Sequence, residues 1–293
     1  MTLPRKKMTP LRQKMLNDMR LERLAPRTQE SYIAAIAGLA KYYKLSPDKL
    51  DKEKVNAYLL YLLEERHLAW SSCNLVVCAL KFFYTKTLGW ESISIPLPPR
   101  KTKHMLPEIF SAEELERLFP CAGPNIKHRL LLMTTYSGGL RVSEVVRLKV
   151  TDIDSARMTI RIEQGKGNKD RYTILSTRLL KELRYYWLMY RPSVWLFPGS
   201  GPKQFIDITT AQKVYNYAKD RAGLKKGRGI HTLRHCFATH MLEAGVDPRT
   251  IQMLMGHSSI TTTMGYMQVT RKKLNAIRSP LDLLDIPILK KPE

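Results

Sequence analysis

Apolar residues recur at helical spacing from Thr9 to Gly89, and this pattern predicts four short helices. Thr9-Pro10 reads as a cap with proline at the first helical position, opening a helix through about Arg23. A second helix carries Tyr32, Ile33, Ile36, Leu39, Ala40 and Tyr43 on one stripe, and a third begins near Asp51 with Val55, Tyr58, Leu59, Leu62 and Leu63. Ser71-Ser72 is expected to cap the fourth, burying Leu75, Val76, Ala79, Leu80 and Phe83 and ending at Gly89. Four such helices make a small bundle over 1–90.

Between Glu91 and Pro107 the periodicity stops. Pro96, Pro98 and Pro99 remove backbone donors, and Arg100, Lys101, Lys103 and His104 are cationic or polar, which suits a linker over 91–107 lying along a phosphate backbone. A solvated loop inside one domain is the plainer alternative. Beyond it, Ser111-Ala-Glu-Glu114 is a capping box, Asn125 to Tyr136 reads as a helix closed by Gly138-Gly139, and Arg141-Val-Ser-Glu144 opens another. From Asp152 to Ser176 the period falls toward two: Met158, Ile160 and Ile162 alternate with Thr159 and Arg161, and Tyr172 to Leu175 follow a Gly-Lys-Gly turn. This predicts a β-hairpin in a mostly helical segment. Helices resume at about Thr177 to Tyr190 and Thr209 to Arg221, and Asp247-Pro248 starts one that Gly256 ends. The expected fold is mostly α with a small β-hairpin or sheet, an α+β arrangement over 108–293.

Charge narrows the partners. The chain has 49 Lys and Arg against 26 Asp and Glu, a formal net charge of +23, far more than solubility needs, so a polyanion is expected and nucleic acid is the commonest. A ribosomal protein or a membrane-surface binder would carry similar charge. With 293 residues and 44% hydrophobic content the chain can support two cores. Cys73, Cys78, Cys121 and Cys236 form no C-x-x-C pair and read as reduced core thiols. Met1 to Lys14 is basic without an apolar core, and no run reaches membrane-spanning length, which gives the expectation of a soluble, cytoplasmic protein.

The residues that carry chemistry lie in the second half. Gly229-Ile-His-Thr-Leu-Arg-His-Cys-Phe-Ala-Thr-His240 places His231 and Arg234 three apart, on one helix face. Arginine stays protonated and offers a planar fork, so Arg141 and Arg234 together would neutralise the equatorial oxygens of a phosphorane. A lone arginine is more often a salt-bridge partner; the combination is what carries weight. Lys166 sits in a Gly-Lys-Gly turn and is placed to protonate a leaving alkoxide, with Lys169 as its rival. The turn lacks the phosphate-loop pattern, and Thr232 stands where a zinc protease needs Glu, so neither an ATP site nor a metal follows. His257 lies just past Gly256. Tyr266 is a poor nucleophile at an ordinary pKa of about 10 and needs a nearby base and cations, which this set supplies.

Leu140-Arg-Val-Ser-Glu144, Gly165-Lys-Gly-Asn-Lys-Asp-Arg171, His231-Thr-Leu-Arg-His235, Gly256-His257 and Tyr266 together resemble the tyrosine recombinases (phage integrase family), in the style of Xer-type and integron or transposon integrases. The resemblance covers the whole chain, its first part looking like the family's SAM-like core-binding domain. It implies that Tyr266 attacks the scissile phosphate to give a 3′-phosphotyrosine and a free 5′-hydroxyl. Arg141 and Arg234 would hold the non-bridging oxygens, Lys166 would protonate the leaving oxygen, His231 would act as base, and His257 would bond the phosphate. It further implies double-stranded DNA as substrate, a homo-tetramer on paired sites, a Holliday junction, and no metal, ATP or other cofactor. Arg100, Lys101, Lys103, Lys169, Arg171, Lys225, Lys226 and Arg228 are the cations expected to contact DNA. Met255 before Gly-His, Cys236 in place of a common Ser, and Gly265 beside the nucleophile depart from the family pattern without removing a catalytic group.

A catalytically silent DNA-binding relative and a type IB topoisomerase are the competing readings, and the intact set favours the recombinase. The absence of a long insertion between Arg234 and His257 lowers the integron option; chromosome resolution and element mobility stay open. Leu274 to Leu289 is an apolar run bounded by prolines, too short for its own core. Packing back onto its own catalytic domain is the plainer alternative; in the resembled family such a tail docks on a neighbouring protomer, so removing residues after Arg278 is expected to spare DNA binding and impair strand exchange.

Overall fold

The computed structural model describes residues 9–91, 108–163, 170–201 and 204–256. The chain divides into two compact units, Met1–Lys103 and His104–Glu293. Most of the expected linker, with Arg100, Lys101 and Lys103, lies outside the described residues, as do Lys166, Lys169, His257, Tyr266 and the C-terminal tail.

In the first unit α1 (Pro10–Leu21) starts as its sequence predicts, with the Thr9 side chain accepting from the Arg12 amide. It is followed by α2 (Pro26–Tyr43), α3 (Lys52–Glu64), capped by Asp51, and α4 (Trp70–Phe82). Met15, Met19, Ile33, Ile36, Leu39, Val55, Leu59, Leu62, Val77 and Leu80 fill the space between them. Two expectations for α4 are corrected. It begins before Ser71-Ser72, after Ala69 with no side-chain cap, and while Ala79, Leu80 and Phe83 are buried as expected, Cys73 and Val77 complete the face and Leu75 is 40% exposed. The helix also closes through a π-helical turn, Phe83–Thr87, which tucks Tyr84 inward to donate to the Pro47 carbonyl at 2.9 Å. Gly89, at φ +77°, lies just past that ending as the sequence predicts.

The second unit is built around α6 (Ile126–Ser137), where Leu130 through Thr135 are all buried. A helix apolar all round must be covered all round, and α8 (Thr177–Tyr190), α9 (Ile208–Arg221) and α10 (His231–Glu243) pack on it. The capping box at Ser111 forms in full at the start of α5 (Ala112–Leu118). After α7 (Val142–Val145) comes a three-stranded antiparallel sheet, not a lone hairpin: β1 (Ile153–Asp154), β2 (Thr159–Ile162) and β3 (Arg171–Ile174), in that order. Ile160 pairs with Thr173 and Ile162 with Arg171, so β3 turns Thr173 into the core and leaves Tyr172 outside. The last described helix, α11 (Pro248–Met255), begins at Asp247 and packs on both β3 and α10.

Among the described residues no helix is long and apolar enough to cross a membrane, and no cluster of His, Cys, Asp or Glu has a metal-holding arrangement. All four cysteines are free; Cys73 and Cys236 are buried.

Candidate active site

The corner between α6 and α7 places the first arginine. Gly139 takes φ +59°, and a Cβ there would lie 2.4 Å from the Phe237 ring, so only glycine fits the turn. Arg141 then stands at the N-cap of α7. Arginine has no acceptor, so half of a capping exchange forms: the Arg141 amide donates to Glu144 Oε2 at 2.7 Å. Its Nη1 donates to Glu144 Oε1 at 2.8 Å and at 3.4 Å to the Met255 carbonyl, and its Nη2 donates to the Gly256 carbonyl at 3.1 Å. A guanidinium has five donors, so Nε and one Nη2 hydrogen are left without a partner among the described residues. They form the free edge of the site.

The second arginine comes from α10, one turn in from its start. Arg234 is 1% exposed, the largest fully buried side chain among the described residues, ahead of Tyr84 and Phe197. Its Nη1 donates to the Gly139 carbonyl and its Nη2 to the Met255 carbonyl, both at 2.6 Å. His231 opens the same helix and meets His235 edge to face, ring centroids 4.7 Å apart. Burial first, then the adjoining His235 ring and the guanidinium charges of Arg234 and Arg141, hold the His231 imidazole down at about 4. Its outer edge is nonetheless solvent-exposed, so water screens part of that field and the direction is what matters: the ring is neutral at pH 7 and can accept a proton. His240, two turns further, is a framework residue. Its Nε2 must carry the hydrogen that reaches the Phe110 carbonyl at 3.0 Å, which leaves Nδ1 to accept from Tyr136 at 2.9 Å. Cys236 is likewise structural, accepting from the Phe110 amide at 3.2 Å, with burial pushing its thiol up to about 12.

Both arginines converge on the C-terminal end of α11. The last carbonyls of a helix lack intrahelical partners and carry the negative end of its dipole, so cations are stabilised there. Here the Leu254 carbonyl receives Arg171, Met255 receives Arg234 and Arg141, and Gly256 receives Arg141. Gly256 has φ +61°, and a Cβ on it would come within 2.8 Å of the Arg171 side chain. Glu144, 8% exposed, is the shared counter-charge: Arg171 grips it with two bonds of 2.9 and 2.8 Å, and Arg234 Nη1 lies 3.7 Å away. Burial would raise the Glu144 carboxyl, yet the bonds from Arg171 and then from Arg141 outweigh it and hold it at about 2. Three guanidinium charges against one carboxylate leave a positive field beside the free edge of Arg141, suited to one phosphate group.

Of the residues the sequence singles out, Arg141, His231 and Arg234 are thus brought together. Lys225, Lys226 and Arg228 lie on the loop leading into α10; Lys226 pairs with Glu114 at 2.7 Å, while Lys225 and Arg228 are exposed. Arg171 is the correction. Expected to contact DNA, it is mostly buried with all its outer nitrogens on Glu144 and Leu254, because strand alternation puts it on the inward face with Thr173. That alternation was the signal available in the sequence. Glu144 as the common anchor, and the carbonyls of α11 as acceptors, are not marked by residue type at all.

Comparison with known proteins agrees with this geometry. Residues 108–273 match the phage integrase family and residues 11–93 its N-terminal SAM-like domain. The chain is 44% identical to y4qK of Sinorhizobium fredii, named as a candidate integrase/recombinase, over 96% of this chain and 91% of that one. It is 34% identical to tyrosine recombinase XerA of Thermococcus onnurineus, over 79% of this chain and 83% of the relative. The crystal structure of XerH site-specific recombinase in a post-cleavage complex with palindromic difH substrate shares the fold, at TM-score 0.68 and 19% identity, covering 92% of this chain and 89% of that one. The chain belongs to the phage integrase family of tyrosine recombinases.

Proposed function

We propose that this protein is a site-specific DNA recombinase that cleaves and rejoins duplex DNA through a covalent 3′-phosphotyrosine. The observation that carries the reading is the meeting of Arg141 and Arg234, from separate helices, on the Met255 carbonyl beside a neutral His231. Such a set stabilises a phosphorane and supplies a base, and the motifs for acid and nucleophile follow in the family's order at Lys166 and Tyr266.

In the reaction, the Tyr266 oxygen forms a bond to the scissile phosphorus as the bond from phosphorus to the 5′-oxygen breaks. His231 takes the phenol proton, Lys166 gives one to the departing 5′-oxygen, and His257 bonds a non-bridging oxygen. The free edge of Arg141 and the charge of Arg234 hold the other phosphate oxygens. The number of phosphate ester bonds is unchanged, so the 5′-hydroxyl of a second strand can reverse the step without ATP. Repeated on paired sites, this gives a Holliday junction and then recombinant duplexes. The two units act as a core-binding domain and a catalytic domain joined by the basic linker over 91–107, and four copies assemble on two sites. Lys225 and Arg228, with Lys169 and the linker cations, contact the backbone. Transfer of an element or resolution of joined molecules are both uses of this chemistry.

The test is strand exchange between two labelled duplexes, each carrying the site that the protein selects from a randomised library, in EDTA and without nucleotide. Exchange under these conditions is expected. Binding without any exchange or junction at protein excess would contradict the reading.

A further inference from the structure

Arg171 opens β3 and spends its guanidinium inside the protein. Nη1 and Nη2 donate to Glu144 Oε1 and Oε2 at 2.9 and 2.8 Å, and Nε donates to the Leu254 carbonyl at 2.9 Å. The two side chains are 10% and 6% exposed. Two parallel bonds to a desolvated carboxylate make a fixed geometry that a passing phosphate would have to break, stripping Glu144 of both. Gly256 fits the same arrangement from the other side, since its missing Cβ makes room for the Arg171 side chain.

The geometry points to Arg171 as a positioning residue for phosphodiester cleavage, one that holds Arg141 and the end of α11 in a single arrangement and does not touch DNA. The inference rests on the recombinase reading above. Its first link is Glu144, which Arg171 orients and which in turn accepts both the amide and Nη1 of Arg141, fixing where the free edge of Arg141 points. The second link is the Leu254 carbonyl: with it held, the next two carbonyls face Arg234 and Arg141. Glu144 is faced by Arg141 from α7, Arg171 from β3, and Arg234 and His231 from α10. Removing Arg171 takes away the one guanidinium among these that grips both carboxylate oxygens in parallel, and lets burial raise the carboxyl.

The experiment uses the full chain and a nicked form of the library-selected duplex that traps the covalent adduct. Arg171→Gln and Arg171→Lys are both expected to bind duplex DNA with the wild-type salt dependence. Both are expected to form adduct roughly a hundredfold more slowly, the size of loss that a misplacement of about 1 Å produces. Lysine restores charge but not the parallel bonds, so it should not rescue. Relative to wild type, the Gln variant should lose further rate toward acid pH, where a buried carboxyl stripped of its parallel bonds takes up a proton more readily. Should the Gln variant melt below the assay temperature, the Lys variant carries the same comparison. A log-log salt slope shallower by about one in the Gln variant, with binding and rate both restored by lysine, would make Arg171 a DNA contact and overturn the proposal. A wild type that forms no adduct overturns the recombinase reading itself; a wild type that forms adduct alongside an unimpaired variant overturns only the role of Arg171.

Discussion

Arg234 donates to the main-chain carbonyl of Met255 at 2.6 Å from a position that is almost fully buried. A permanent cation is tolerated there because the end of a helix supplies unpaired carbonyls and a negative dipole, and Glu144 supplies a full charge. This buried positive charge is therefore part of the core of the second unit. In the proposed reaction, stability and chemistry share the same groups.

Arg234→Ala should consequently cost fold as well as activity. It strips a donor from the Gly139 and Met255 carbonyls and a cation from Glu144, and breaking a buried pair on one side costs about 3–5 kcal/mol. Arg234→Lys should fall between, since one ammonium cannot span two carbonyls in the plane a guanidinium provides. Urea unfolding of the three proteins checks this; a loss under ~0.5 kcal/mol for alanine would mean the network is not a unit.

Acid should undo the same network. Glu144 titrates at about 2 in the folded chain against 4.5 ordinarily, a lowered value, so its contribution is fully present above pH 4.5 and is lost as pH falls through about 2. The shift corresponds to something on the order of 3 kcal/mol. Melting temperatures measured from pH 7 down to pH 3 should fall for wild type and fall less for Glu144→Gln, which starts lower. Parallel curves would remove Glu144 from the account.

The turn at Gly139 is expected to be intolerant. Alanine there meets the Phe237 ring at 2.4 Å and must adopt φ +59°, and overpacking with backbone strain costs about 2–3 kcal/mol. Phe237→Leu should recover part of that loss in the double variant, because it relieves the clash and not the strain. Additive losses in a double-mutant cycle would show that the two sites do not meet.

Much of this was legible in the chain. Thr9-Pro10, Asp51, Ser111 to Glu114 and Asp247-Pro248 mark helix starts because a cap is a local device, readable from residue type. The helix Thr177–Tyr190 shows an apolar stripe on one face and comes out with the predicted ends. What failed depends on distant packing. The start of α4 has no side-chain cap to read, and β1 is two residues long and visible only through its pairing with β2. Arg141, His231 and Arg234 were findable because few roles need those types in that order. Glu144 was legible only as part of the Arg141–Glu144 stretch that opens a helix, since its other partners come from β3 and α10.

In the proposed reaction Tyr266 carries the covalent step on a site assembled by Arg141, His231 and Arg234. The most direct measurement of that step is adduct capture on the nicked, library-selected duplex, with wild type and Tyr266→Phe compared in parallel and the linkage mapped by mass spectrometry. The phenol oxygen makes the bond whereas affinity comes from many phosphate contacts, so the Phe variant should bind the duplex as wild type does. A single adduct is expected on the Tyr266 peptide, joined to a 3′-phosphate and absent in the variant. An adduct that survives Tyr266→Phe, or one that maps to another residue, would contradict it.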